Sequence, residues 1–242
     1  MPLYQIDPSR FIIIYIAQSI FVVYFTLITL QVLRRKRQRL NIIFSFFFIT
    51  IIIANILNMV YAAMENEPVI LVLNFFTNFF LCFGPIFIFI VNMLILESTI
   101  IFSVKRQNRY ILYYGLLLLV GMAIFYFLGE VSVTTEFRPK FSLIFLIFIL
   151  GITVAFVVVP IVSTSLKIYF SFEMKALKRK WIFYVIGFLG SISIAYLVFV
   201  NNYLDNDTFR LLVAIYSISV ILWGYLMYYG IGFKIKKTEE NT

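Results

Sequence analysis

The chain has 242 residues, 63% of them hydrophobic and 13% charged, with a mean hydropathy of +1.01 and a net charge of +9. Soluble domains average about 25% charged residues, so the composition excludes an ordinary globular enzyme and predicts a polytopic membrane protein with room for about seven spans of ~20 residues. The absence of histidine and the single cysteine, Cys82, remove His-ligated metals and haem, histidine general bases and any disulfide within the chain, and no cofactor is expected.

Hydropathy and punctuation predict seven spans, at about 11–33, 40–63, 69–104, 110–128, 140–170, 181–201 and 209–233. They form one domain over 1–242, an all-α seven-helix bundle embedded in the lipid bilayer. Lipid offers backbone groups no partners, which restricts spanning segments to helices and closed barrels. Barrel strands alternate and run to about 10 residues, whereas these are long continuous apolar runs. Met1 to Arg10 is short, carries Asp7 and shows no small-residue cleavage site, so no cleavable signal peptide is expected.

Basic residues gather in alternate loops. They are Arg34, Arg35, Lys36, Arg37 and Arg39 after span 1; Lys105, Arg106 and Arg109 after span 3; Lys167, Lys175, Lys178, Arg179 and Lys180 around the end of span 5; and Lys234, Lys236 and Lys237 after span 7. Only Arg10, Arg138, Lys140 and Arg210 fall on the other side, among seven carboxylates. The positive-inside rule then predicts an outside N-terminus and a cytoplasmic C-terminus. The positive charge is read as topogenic and as facing anionic lipid, not as a nucleic-acid surface.

Within the spans, Trp181 and the tyrosines near span ends, Tyr110, Tyr113, Tyr114, Tyr169, Tyr228 and Tyr229 on one side and Tyr61 and Tyr203 on the other, read as interfacial anchors. Gly187, Ser191 and Ala195 form a small-residue face on span 6 that permits close helix packing. Span 3 is the expected centre of the bundle: Asn74, Asn78, Cys82, Pro85, Asn92 and Thr99 recur along it at helical spacings. Gly84-Pro85 in span 3 and Pro160 in span 5 are the expected kinks, because proline removes a helix hydrogen bond.

Two features carry the functional expectation. Glu97 and Lys167 lie at similar depth in spans that run in the same direction. They either pair across spans 3 and 5 or snorkel separately to the interface. The second feature is a polar set in the outer half: Gln18, Asn55, Asn58, Tyr61, Asn74 and Asn78, with Ser19, Thr77, Asn201 and Asn202 nearby. It is either helix glue or the orienting polar groups of an apolar ligand pocket; Phe75, Phe76, Phe79, Phe80, Phe83, Phe87 and Phe89 suit the walls of such a pocket and equally suit lipid contact.

Several chemistries are set aside. Span 7, Phe209 to Phe233, has no lysine for a retinal Schiff base, so no retinal is expected. No pair of mid-membrane carboxylates, phosphate-binding Gly-Lys loop or Ser-His arrangement supports an enzyme. The marks of eukaryotic G-protein-coupled receptors, Asp-Arg-Tyr after span 3 and Asn-Pro-x-x-Tyr in span 7, are missing; Ile101-Phe102-Ser103-Val104-Lys105-Arg106 stands at the first. Pro85 followed by Phe87-Ile88-Phe89, and the basic loop Lys175-Ala176-Leu177-Lys178-Arg179-Lys180 leading to Gly187, resemble the seven-helix N-terminal sensor region of bacterial and archaeal histidine kinases. The likeness spans nearly the whole chain and is mostly architectural. With no phospho-accepting histidine and no kinase domain, it implies a stand-alone sensor region working through a separate cytoplasmic signalling partner.

The first expectation is therefore a receptor-like sensory protein of the cell membrane. It would bind a small hydrophobic ligand in the outer half and signal at the basic inner loops. The second is a small-solute transporter or channel, disfavoured by the lack of an internal repeat and of a Pro-Gln motif. The third is a structural or assembly subunit of a membrane complex.

Overall fold

The computed structural model describes residues 12–35, 38–97 and 101–231. Asp7, Arg10, Lys36, Arg37, Thr99, Lys234, Lys236 and Lys237 lie outside the described residues. Among the described residues, seven helices are long and apolar enough to cross a membrane: α1 (Ile14–Arg35), α2 (Arg39–Tyr61), α3 (Glu67–Leu96), α4 (Val104–Phe127), α5 (Leu143–Ser171), α6 (Lys175–Leu204) and α7 (Asp207–Ile231). A short antiparallel hairpin, β1 (Val131–Val133) and β2 (Pro139–Phe141), joins α4 to α5 with Val131 opposite Phe141. The all-α expectation misses this hairpin.

α3 occupies the centre. It packs on α2, α4 and α5, and 61% of its most apolar stretch is buried, against 17% for α4. α6 packs extensively on α7, and α1 touches both α2 and α7. The hairpin covers one end of the bundle, with Val131 and Phe141 buried against α3 and α6. The opposite end, where α1 and α3 finish and α2, α4 and α6 begin, holds the basic residues and is called the basic end below.

Local sequence explains several boundaries. The Asn66 side chain caps α3 by accepting from the Val69 amide at 3.2 Å, with Pro68 in the first turn, where its missing N–H costs nothing. Ser142 caps α5 by accepting from Phe145 (3.1 Å), and Asn206 caps α7 by accepting from Phe209 (2.9 Å). The expected span 69–104 is too long: α3 stops at Leu96, and Ser103 starts α4 by accepting from the Arg106 amide at 3.4 Å. The basic residues expected in loops at 105–109 and 175–180 instead occupy the first turns of α4 and α6, because a helix can extend past the apolar layer.

The helical ladder is interrupted in α3, α5 and α7. In α3 the break falls at Gly84-Pro85, where the Phe87 amide reaches back only to the Gly84 carbonyl (3.0 Å). Gly84 is required by proximity, since a Cβ there would run into Oγ1 of Thr50 on α2. In α5 a π-helical segment, Val154–Val158, immediately precedes the helix containing Pro160. A π turn re-spaces carbonyls ahead of a residue that cannot donate. In α7 the break at Ile218 and Ser219 has no proline, but Ser219 Oγ accepts from Trp223 Nε1 at 2.8 Å.

Candidate functional site

The buried amides of α3, Asn74, Asn78 and Asn92, divide into two nodes, one on each side of Gly84-Pro85, while buried Thr77 donates to the Leu73 carbonyl of its own helix. The first lies in the hairpin half. Asn74 Nδ2 donates to the Tyr61 hydroxyl of α2 (3.3 Å), and Asn78 Nδ2 donates to Asn74 Oδ1 (3.0 Å). The Tyr126 hydroxyl of α4 donates to Asn74 Oδ1 (2.7 Å) and accepts from Asn78 Nδ2 (3.0 Å). Asn74, Asn78 and Tyr61 are all buried. Three helices thus meet through two amides and two phenols, each with at least one partner.

This node gathers half of the predicted ligand set. Tyr61, Asn74 and Asn78 come together, joined by Tyr126. Asn55 stands apart, donating to the Ile51 carbonyl of its own helix (2.8 Å). Asn58 is half-buried on α2, and Gln18 on α1 keeps a buried Oε1 with no hydrogen-bond partner among the described residues. The Asn201 Oδ1 on α6 is in the same condition. Tyr126 escaped the sequence reading because it falls beside the end of a span, where tyrosines usually anchor at the interface.

The second node lies in the basic half and is buried completely at its centre. Asn92 Nδ2 faces Ser165 Oγ (2.8 Å), Thr164 Oγ1 (3.1 Å) and the Ile161 carbonyl (3.2 Å) of α5. Asn92 Oδ1 accepts from the Tyr184 hydroxyl of α6 (3.0 Å). Trp181 Nε1 donates to the Ser165 carbonyl (2.9 Å). Asn92, Trp181 and Tyr184 have 0% exposure. Trp181 is therefore part of the core and not an interfacial anchor. Tyr114 departs from the anchor reading as well: it is buried, and its hydroxyl donates to the Cys82 carbonyl at 2.9 Å, just before the α3 break. Tyr61, also read as an anchor, is buried as well, whereas Tyr110, Tyr113 and Tyr229 are exposed.

Of the two readings of Glu97 and Lys167, a pair across α3 and α5 or separate placement, the structure shows them apart. Glu97 ends α3 and pairs with Arg106 of α4, 3.2 Å away and partly exposed. Lys167 lies on the exposed side of α5 while Thr164, Ser165 and Ile168 turn inward. The residues that meet α3 are therefore the hydroxyls, and the lysine points elsewhere because of helical phase.

Gly187 and its neighbours bring α6 against α7. A Cβ on Gly187 would lie 2.6 Å from the Trp223 carbonyl oxygen, and one on Gly230 would lie 2.7 Å from the Tyr184 amide nitrogen. Ser191 returns its hydroxyl to the Gly187 carbonyl (2.9 Å), and Ala195 is buried. At the hairpin end, Arg138 bridges Glu136 and Asp207 (both 2.9 Å), and Arg210 reaches Asp205 and Asp207 (both 3.1 Å), tying the hairpin to α7. At the basic end, Arg39 Nε donates to Gln107 Oε1 (2.6 Å), and Arg35 stacks over Tyr228 at 3.8 Å.

Neither node contains a carboxylate, a lysine or an arginine, so neither provides acid–base chemistry near neutral pH. What the arrangement offers is a set of exchangeable hydrogen bonds between helices. Comparison with known protein families and with curated proteins finds no match. The functional reading rests on the residues of this chain.

Proposed function

We propose that the chain is a sensory, receptor-like protein of the cell membrane, with its N-terminus outside and its C-terminus in the cytoplasm. A small hydrophobic ligand binds in the hairpin half, and a separate soluble partner is engaged at the basic end. The observation that carries this reading is the placement of both polar nodes on α3, on opposite sides of its Gly84-Pro85 break. A ligand that competes for the Asn74 and Asn78 bonds alters how α3 sits against α2 and α4. The break lets that change reach Asn92, which holds α5 and α6. Such a ligand shifts the balance only through different affinity for two arrangements, and a node of exchangeable bonds supplies that difference.

The test is photo-crosslinking in native membranes from reactive residues placed at Asn108, which is exposed, and Lys178, which is half-buried, both at the basic end. Capture of a soluble kinase, cyclase or GTP-binding protein at these positions, and not from Ser132 in the hairpin, supports the reading. Capture of no soluble protein, together with solute flux through proteoliposomes of the purified chain, overturns it in favour of a transporter.

A further inference from the structure

On the flank of the bundle, α3 and α4 leave a groove of about 510 Å³ that opens sideways. Phe79 and Phe83 of α3 form its floor, and Leu112, Gly115, Leu116 and Leu119 of α4 line it. Gly115 keeps it open, since a Cβ there would already lie 3.0 Å from the Phe83 ring. Asn108, at the basic end, is the one polar residue in the lining. From Asn108 to Leu119 the helix rises about 17 Å at ~1.5 Å per residue. One leaflet of hydrocarbon is about 15 Å deep, half of a core of ~30 Å. The groove therefore has the length of a lipid tail in a single leaflet.

The charge at its mouth selects among lipids. Lys105 and Arg109 continue the lining stripe beyond Asn108 and Leu112 at helical spacing, and both are exposed. Neither forms an ion pair among the described residues, while Arg106 between them is taken by Glu97. All three cations sit in the first two turns of α4, whose first turn carries no acidic residue. The helix dipole makes that the end where anions are favoured and cations are not. An anion at this position meets two basic side chains and a positive helix end together.

We propose that the groove holds one acyl chain of an anionic glycerophospholipid from the surrounding bilayer, with its phosphate between Lys105 and Arg109. Occupancy fixes the α3–α4 contact beside the Tyr114 hydrogen bond that flanks the α3 break. The site is independent of the ligand reading above.

The full chain is reconstituted in nanodiscs of equimolar phosphatidylglycerol and phosphatidylcholine, and the lipid retained on ejection is identified by native mass spectrometry. The expected result is roughly thirtyfold enrichment of phosphatidylglycerol, the scale set by two basic groups near an anionic headgroup. K105Q/R109Q brings the ratio close to parity, and Leu116→Trp, which fills the groove from its open side, lowers retention of both lipids. The charge variant lies outside the packed core, so it is read independently of any effect of the tryptophan on folding. Equal retention of the two lipids, or enrichment unchanged in K105Q/R109Q, overturns the proposal. So does a photo-reactive residue at position 116 that captures a second copy of the chain in place of lipid.

Discussion

Asn92 is the polar side chain on which most of the inner packing turns, because both ends of its amide are used and both partners belong to other helices. Interhelical hydrogen bonds in a bilayer contribute about 0.6 kcal/mol each on average and at most about 1.7. Asn92→Leu is therefore expected to destabilise the bundle by roughly 2 kcal/mol, read as a shift in the denaturation midpoint in mixed micelles. Asn55→Leu is the contrast. Its amide bonds only to its own helix, and the expected change is under about 0.5 kcal/mol. Equal effects at the two positions would show that burial alone, and not the bond across helices, determines the cost. Asn92 and Asn55 look alike in the sequence, as amides within apolar runs; the difference is which way each faces.

At the scale of elements, the small residues of α6 have separable roles. Gly187 faces backbone atoms of α7, which cannot move aside as a flexible side chain can. Gly187→Leu is expected to cost at least about 2 kcal/mol through overpacking and to raise hydrogen exchange over α7. Gly151 in α5 is exposed, with nothing within 4 Å of an added Cβ. Gly151→Ala should leave the bundle as stable or more so, by up to roughly 1 kcal/mol, since glycine inside a helix carries an entropic penalty. If both variants behave alike in thermal melts, the close α6–α7 approach is not a source of stability. The hairpin is held differently. Its charged contacts to α7 are at the rim, and Asp207 is largely exposed. Arg138→Ala should then cost under about 1 kcal/mol while speeding amide exchange in the hairpin; a large loss of global stability would contradict that reading.

For the whole molecule, the proposed orientation rests on the distribution of charge and is tested by labelling. Cys82 is buried, so labelling experiments begin from a nearly silent background. Ser132→Cys in the hairpin is expected to react with a membrane-impermeant maleimide on intact cells. Lys178→Cys at the basic end should react only after permeabilisation, because basic loops stay on the cytoplasmic side. The reverse pattern would falsify the proposed topology and move the proposed ligand entrance to the cytoplasm. The lipid groove keeps its place beside Lys105 and Arg109 in either orientation, and only the leaflet supplying the lipid changes.

The seven long apolar helices, the central role of the third and the interruption at Gly84-Pro85 follow from the sequence alone. A bilayer filters residues by depth, and proline withholds a hydrogen bond in any context, so linear order is enough to read both. Tertiary structure decided the rest. It paired Glu97 with Arg106 instead of Lys167, drew Tyr126 into the Asn74–Asn78 node, buried Trp181 beside Ser165 and folded the segment after α4 into a hairpin. These outcomes depend on the rotation of each helix about its axis and on which helices become neighbours. Hydropathy averaged along a span carries no record of either, because lipid and a packed helix are equally apolar surroundings for the same side chain.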